Sequence, residues 1–194
     1  MTALDPSDFD DLLEFIRVQV AAGYAPAPEM VDEAVDVFAD TTLDPQALRE
    51  AAVSLAKRAL AEHATAQESW PQVTDCDRLD QAFAALDAAG IVARQHFSCC
   101  GACGATEIHD EMERVRKDGG TVRGYTFFHI QDTEHAVSGE SLFLSYGSPD
   151  GDKDTAVAIG QEVVAALRDA QLHPAWNGRH ANRIGLPIVW QHRR

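Results

Sequence analysis

Three of the four cysteines fall within five residues, in the run Cys99-Cys100-Gly101-Ala102-Cys103-Gly104. Cys100 and Cys103 form a C-x-x-C pair where an apolar, β-like stretch gives way to a charged helical pattern. At a helix start, unpaired backbone N–H groups and the helix dipole favour a thiolate over a thiol. The thiolate is the form that binds soft metal ions, and also the form that attacks disulfides. Two chemistries therefore fit the same residues. In one, two or three thiolates and a histidine hold Zn2+ tetrahedrally. In the other, Cys100 and Cys103 cycle between dithiol and disulfide. The plainer alternative is that small cysteines merely pack the top of a sheet.

A zinc site needs further ligands, because the chain has only one C-x-x-C pair. The second motif, Phe128-His129-Ile130-Gln131-Asp132-Thr133-Glu134-His135, offers them. The candidate metal set is Cys99, Cys100, Cys103, His129 and Asp132, with His135 as a further source. Asp132 is also the expected N-cap of a short helix, and His129 is equally readable as a hydrogen-bonded residue at a strand end. Other features carry less. Asp150-Gly151-Asp152-Lys153-Asp154 starts like a calcium loop but has Thr155 where the loop requires Gly and Gln161 where it requires Glu. Arg179-His180-Ala181-Asn182-Arg183 reads as a basic hairpin loop that could hold an anion, with a solvated loop the favoured reading. Cys76, in the first turn of a helix, reads as a packing or surface thiol. The chain has no Walker loop, G-x-G-x-x-G, G-x-S-x-G or H-E-x-x-H motif.

The elements around these residues follow from periodicity. Phe9, Leu12, Leu13, Ile16 and Val20 form one helical stripe, preceded by Asp5-Pro6 as cap and first-turn proline. Val31, Ala34, Val35 and Phe38 mark a second helix, and Leu48, Ala52, Leu55 and Ala59 a third that opens at Asp44-Pro45. Trp70-Pro71 reads as a boundary, giving a helical segment over 1–70 and an α/β domain over 71–194. In the latter, Thr74 or Asp75 caps a helix carrying Leu79, Phe83 and Leu86, and Gly90 closes it. Strands are expected at Ile91–Phe97, Val122–His129, Ser141–Tyr146, His173–Trp176 and Ile184–His192, with Pro187 making the last an edge strand. Helices are expected over roughly 106–117, after Asp132 and after Asp154. The fold class is thus α+β, a three-helix segment followed by a ferredoxin-like β-α-β-β-α-β domain plus an edge strand. That order puts the third strand between the first two and His129 about 10 Å, two strand spacings, from the first strand. It also gathers the cysteines, His129, Asp132, His135 and His173 at one rim of the sheet.

Composition narrows the partners. The 194 residues carry a formal net charge of −15, with net −11 contributed by residues 1–75 alone. Such a surface repels phosphate backbones and anionic lipid, so no nucleic acid and no membrane is expected as partner. The N-terminal helices are the expected surface for a protein partner or a homodimer. No secretory signal and no apolar run of about 20 residues is visible, so a cytoplasmic location is expected, where four cysteines point to metal or redox chemistry before disulfides.

Trp70-Pro71, Asp75-Cys76-Asp77-Arg78-Leu79, Phe97-Ser98-Cys99-Cys100 with Cys103-Gly104, Phe128-His129 with Gln131-Asp132-Thr133-Glu134, and Trp176-Asn177-Gly178 together resemble DUF6891, a largely actinobacterial family of unknown function. The resemblance covers nearly the whole chain. It implies a bacterial origin and that the Cys and His-Gln-Asp-Thr motifs belong together, but no particular activity.

Overall fold

The α1 stripe works because its apolar residues recur every three or four positions. Leu12, Ile16 and Val20 of α1 (Pro6–Ala22) are fully or almost fully buried, while Phe9 is half exposed at the helix start. They pack with Met30, Val31 and Ala34 of α2 (Ala27–Val37) and with Leu48, Ala52, Leu55, Ala56 and Ala59 of α3 (Pro45–Gln67). Asp44 caps α3 by accepting the Ala47 N–H, with Pro45 in the first turn. This computed structural model describes residues 6–40 and 44–194; Asp5, the expected cap of α1, lies outside the described residues. The last residues belong to the same unit as these helices. Arg194 donates to the carbonyls of Gln19, Val20 and Ala25, so a cation meets the carbonyl-rich end of α1.

The second unit spans Val73–Trp190. Thr74 and Asp77 form a capping box at the start of α4 (Asp75–Ala88). There follow β1 (Ile91–Arg94), α5 (Gly101–Lys117), β2 (Gly124–Phe127), α6 (Ile130–Val137), β3 (Leu142–Gly147), α7 (Lys153–Asp169) and β4 (Ile184–Leu186). The whole is mixed α and β, with seven helices and one four-stranded sheet among the described residues. α5 covers one sheet face through Ile108 and Met112, which pack with Val92 and Phe127. α5 and β2 approach so closely that a methyl at Gly104 would lie 2.5 Å from a Phe127 ring carbon. No described helix is long and apolar enough to cross a membrane.

The strand order departs from the ferredoxin-like expectation. It is β1-β2-β3-β4, with β1 parallel to β2 and the other two pairs antiparallel. The third strand therefore does not lie between the first two. His173–Trp176 is not a full strand either; Ala175 makes only an isolated bridge to Gly185. A helical crossover joins two parallel strands whether or not another strand separates them, and periodicity cannot tell the cases apart. Here β1 is an edge strand, and its exposed side is guarded. The Ala93 N–H is taken by Asp87, and Arg94 bridges Asp87 and Glu111. The caps shift as well. α6 is capped by His129 with Asp132 three residues on, and α7 by Asp152 rather than Asp154.

Candidate functional site

The adjacency of β1 and β2 brings the two motifs together. Past β1 the chain stays beside the segment leaving β2: Phe97 N–H bonds to Phe128 O at 2.8 Å and Ile130 N–H to Ser98 O at 3.1 Å. Neighbouring parallel strands lie only about 4.8 Å apart, so the expected 10 Å gap closes to one spacing. His96 and Ser98 adopt φ of 49° and 64°, backbone conformations that residues with side chains seldom take. These turns redirect the chain so that Cys100 becomes the N-cap of α5, five residues earlier than periodicity suggested. His129 takes the corresponding place at α6. Two helix starts thus stand side by side, and a Cβ at Gly101 would lie 3.5 Å from His129 Nε2.

All four cysteines are free thiols: Cys99 is exposed, Cys100 and Cys103 half-buried, and Cys76 buried within α4. The sulfurs of Cys99, Cys100 and Cys103 lie within 4.8 Å of one another. The spacing is compatible with a shared ion after small side-chain adjustments, since two thiolates bound at about 2.3 Å to one tetrahedral zinc ion sit about 3.8 Å apart. Cys100 makes no formal side-chain cap bond. Even so, the Cys103 N–H, then the Cys103 thiol and the Ala102 N–H, hold its pKa below the usual thiol value. The Cys103 thiol is pushed up to about 11, first by its contact with Cys99 and then by Cys100. Within the C-x-x-C pair, thiolate character is therefore favoured at Cys100 over Cys103. The first turn of α5 has no acid, while Arg114, Arg116 and Lys117 occupy its last turn. The positive end of the helix is left to sulfur.

The other two candidate ligands stand outside this sulfur group and are engaged in a network of their own. His129 Nδ1 accepts the Asp132 N–H at 3.3 Å, which places the ring proton on Nε2, 3.1 Å from Asp132 Oδ2. Burial lowers the His129 pKa, and the Asp132 carboxylate only partly offsets this. Asp132, 2% exposed, accepts the His129 N–H at 3.1 Å and a two-pronged ion pair from Arg183. Arg183 also donates to Phe143 O and lies over the Phe143 ring. Thr133 links this network to His96 through a 2.9 Å contact with Nδ1.

Sequence reasoning set Arg183 aside as part of a solvated loop. Only the folded chain shows why it is not. Tyr146 and Trp176 donate to the Asn182 carbonyl and hold that loop against the sheet, bringing a cation 51 positions away onto Asp132. No local pattern signals such a pairing. Ser98 was also missed. Its hydroxyl is buried without a partner among the described residues, directly before Cys99. A separate cavity of about 380 Å³ lies between α2 and α3, lined by apolar side chains with Asp32, Arg49 and Lys57. Its lining includes no cysteine and no histidine.

No curated protein and no solved structure matches this chain. The model of a domain of unknown function, DUF6891, matches residues 5–194, so the chain belongs to the DUF6891 family.

Proposed function

We propose that this protein binds a transition-metal ion through Cys99, Cys100 and Cys103, in a regulatory or interaction role rather than a catalytic one. The supporting observation is the approach of three sulfurs to within 4.8 Å at a helix start free of competing acids. Soft thiolates select soft and borderline ions such as Cu(I) and Zn2+. Zn2+ in a closed site requires a fourth donor. His129, whose Nε2 would lie 3.5 Å from a Cβ at Gly101, offers an imidazole beside the cysteine turn, but serving as that donor means giving up its place in the α6 cap. Asp132 would have to leave Arg183.

Metal analysis of tag-free protein, purified under reducing conditions, tests the reading. About one equivalent of metal, lost on Cys100→Ser, is expected; under a tenth of an equivalent, unchanged by that substitution, ends it.

One observation favours a second reading, a thiol–disulfide site. The acidity of the C-x-x-C pair is divided, with Cys100 the readier thiolate and Cys103 the reluctant one. An attacking and a resolving cysteine are arranged in this way. Titration in glutathione buffers of defined ratio discriminates: a reversible Cys100–Cys103 disulfide supports it, and dithiol at every ratio removes it.

A further inference from the structure

We propose that Cys99, Cys100 and Cys103 form a three-thiolate receptor for cuprous copper that uses no fourth protein ligand. The inference rests on the metal reading above and concerns which ion the site takes. Among the described residues, the group of donor atoms close enough to share an ion consists of these three sulfurs alone. All three are soft donors.

The neighbouring hard and borderline donors are committed elsewhere. The free lone pair of the His129 ring, on Nδ1, receives the Asp132 N–H, and the Nε2 side carries the proton. Both carboxylate oxygens of Asp132 receive Arg183, and Oδ2 also takes the His129 N–H. Recruiting His129 to a metal breaks its capping bond to the Asp132 N–H, and recruiting Asp132 breaks its ion pair with Arg183. A zinc ion lacking a fourth protein ligand would complete its tetrahedron with solvent, as open zinc sites do. Cu(I) has no such need. It is monovalent, soft and d10, and three sulfurs satisfy its coordination. On binding, each sulfur that still carries a proton passes it to solvent as it joins the ion, and no electron moves. The ion meets the site from solvent, because Cys99 is exposed. Cys99 is thus more than a spectator beside the C-x-x-C pair: it supplies the third sulfur.

The test titrates the reduced, metal-free chain anaerobically, with Cu(I) in competition with bicinchoninate and with Zn(II) in competition with a chromophoric chelator. One Cu(I) per chain is expected. Cys99→Ser, Cys100→Ser and Cys103→Ser should each weaken it by about 100-fold or more, while His129→Asn should change it by less than about 3-fold. Asn keeps a capping oxygen at that position but removes the imidazole. Cys99→Ser changes an exposed residue, and far-ultraviolet circular dichroism is the check that its fold is retained. If one Zn(II) binds and His129→Asn weakens it about 10-fold or more, with Cu(I) binding equally sensitive to that change, the site is four-coordinate. The three-thiolate inference then falls and the metal reading survives. If the wild-type chain holds neither ion, both fall.

Discussion

The pair Asp132–Arg183 supports a quantitative prediction with an internal asymmetry. Asp132 is almost wholly buried, whereas the Arg183 side chain is 35% exposed. Removing one partner of a buried ion pair costs about 3–5 kcal/mol, because the survivor keeps an uncompensated charge. In Asp132→Ala the survivor is Arg183, which can turn partly into water, so the loss belongs near the low end, about 3 kcal/mol. It includes the α6 cap bond, itself worth about 1 kcal/mol. In Arg183→Met the survivor is a carboxylate with no route to solvent, and the loss belongs near the high end, about 4–5 kcal/mol. The double variant leaves no orphan. It should cost about 3 kcal/mol, well short of the sum of the two, giving a coupling of several kcal/mol. Urea unfolding at 25 °C, followed by circular dichroism and tryptophan fluorescence, measures all three. Losses that simply add, or an Asp132→Ala loss exceeding that of Arg183→Met, would refute the reasoning.

Two further outcomes follow from the titrating groups. In the reduced, metal-free chain at pH 7, iodoacetamide should label Cys100 well before Cys103, since their thiols are shifted in opposite directions and the thiolate is the nucleophile; peptide mass mapping over time reads the order, and faster labelling of Cys103 contradicts it. His63 has its pKa lowered, mainly by burial, while its Nε2 lies 3.1 Å from His192 O. The unfolded chain then binds the proton more readily, so stability is full above pH 6.5 and falls as the pH drops from 6.5 toward the folded pKa. Urea midpoints between pH 8 and 5 should fall less steeply in His63→Gln than in the wild type, and identical slopes would show that His63 contributes nothing.

Much of the helical structure could be read locally. The burial of Leu12, Ile16, Val20, Leu48, Ala52 and Leu55 reflects a 3.6-residue period visible in the sequence. Asp44-Pro45 and Thr74 announce helix starts through chemistry confined to three or four residues. Boundaries next to the site were less legible. α5 begins at Gly101 because two departures from ordinary backbone geometry, at His96 and Ser98, end β1 early, and neither residue is the glycine that usually marks a positive φ. His129 caps α6 although imidazole is an uncommon cap, so the eye falls on Asp132, which instead completes the box from the third position.

By itself, then, the sequence determined the helices, the apolar stripes that bury them and a sulfur-rich turn at a helix start, because each depends on neighbours a few residues away. Which strand lies beside which, and therefore that His129 faces Gly101 across one strand spacing, depended on the tertiary structure. So did the pairing of Arg183 with Asp132 across 51 positions. Backbone pairing and charge compensation join residues distant in the chain, and their energies are fixed only when packing chooses the partners and removes the water between them.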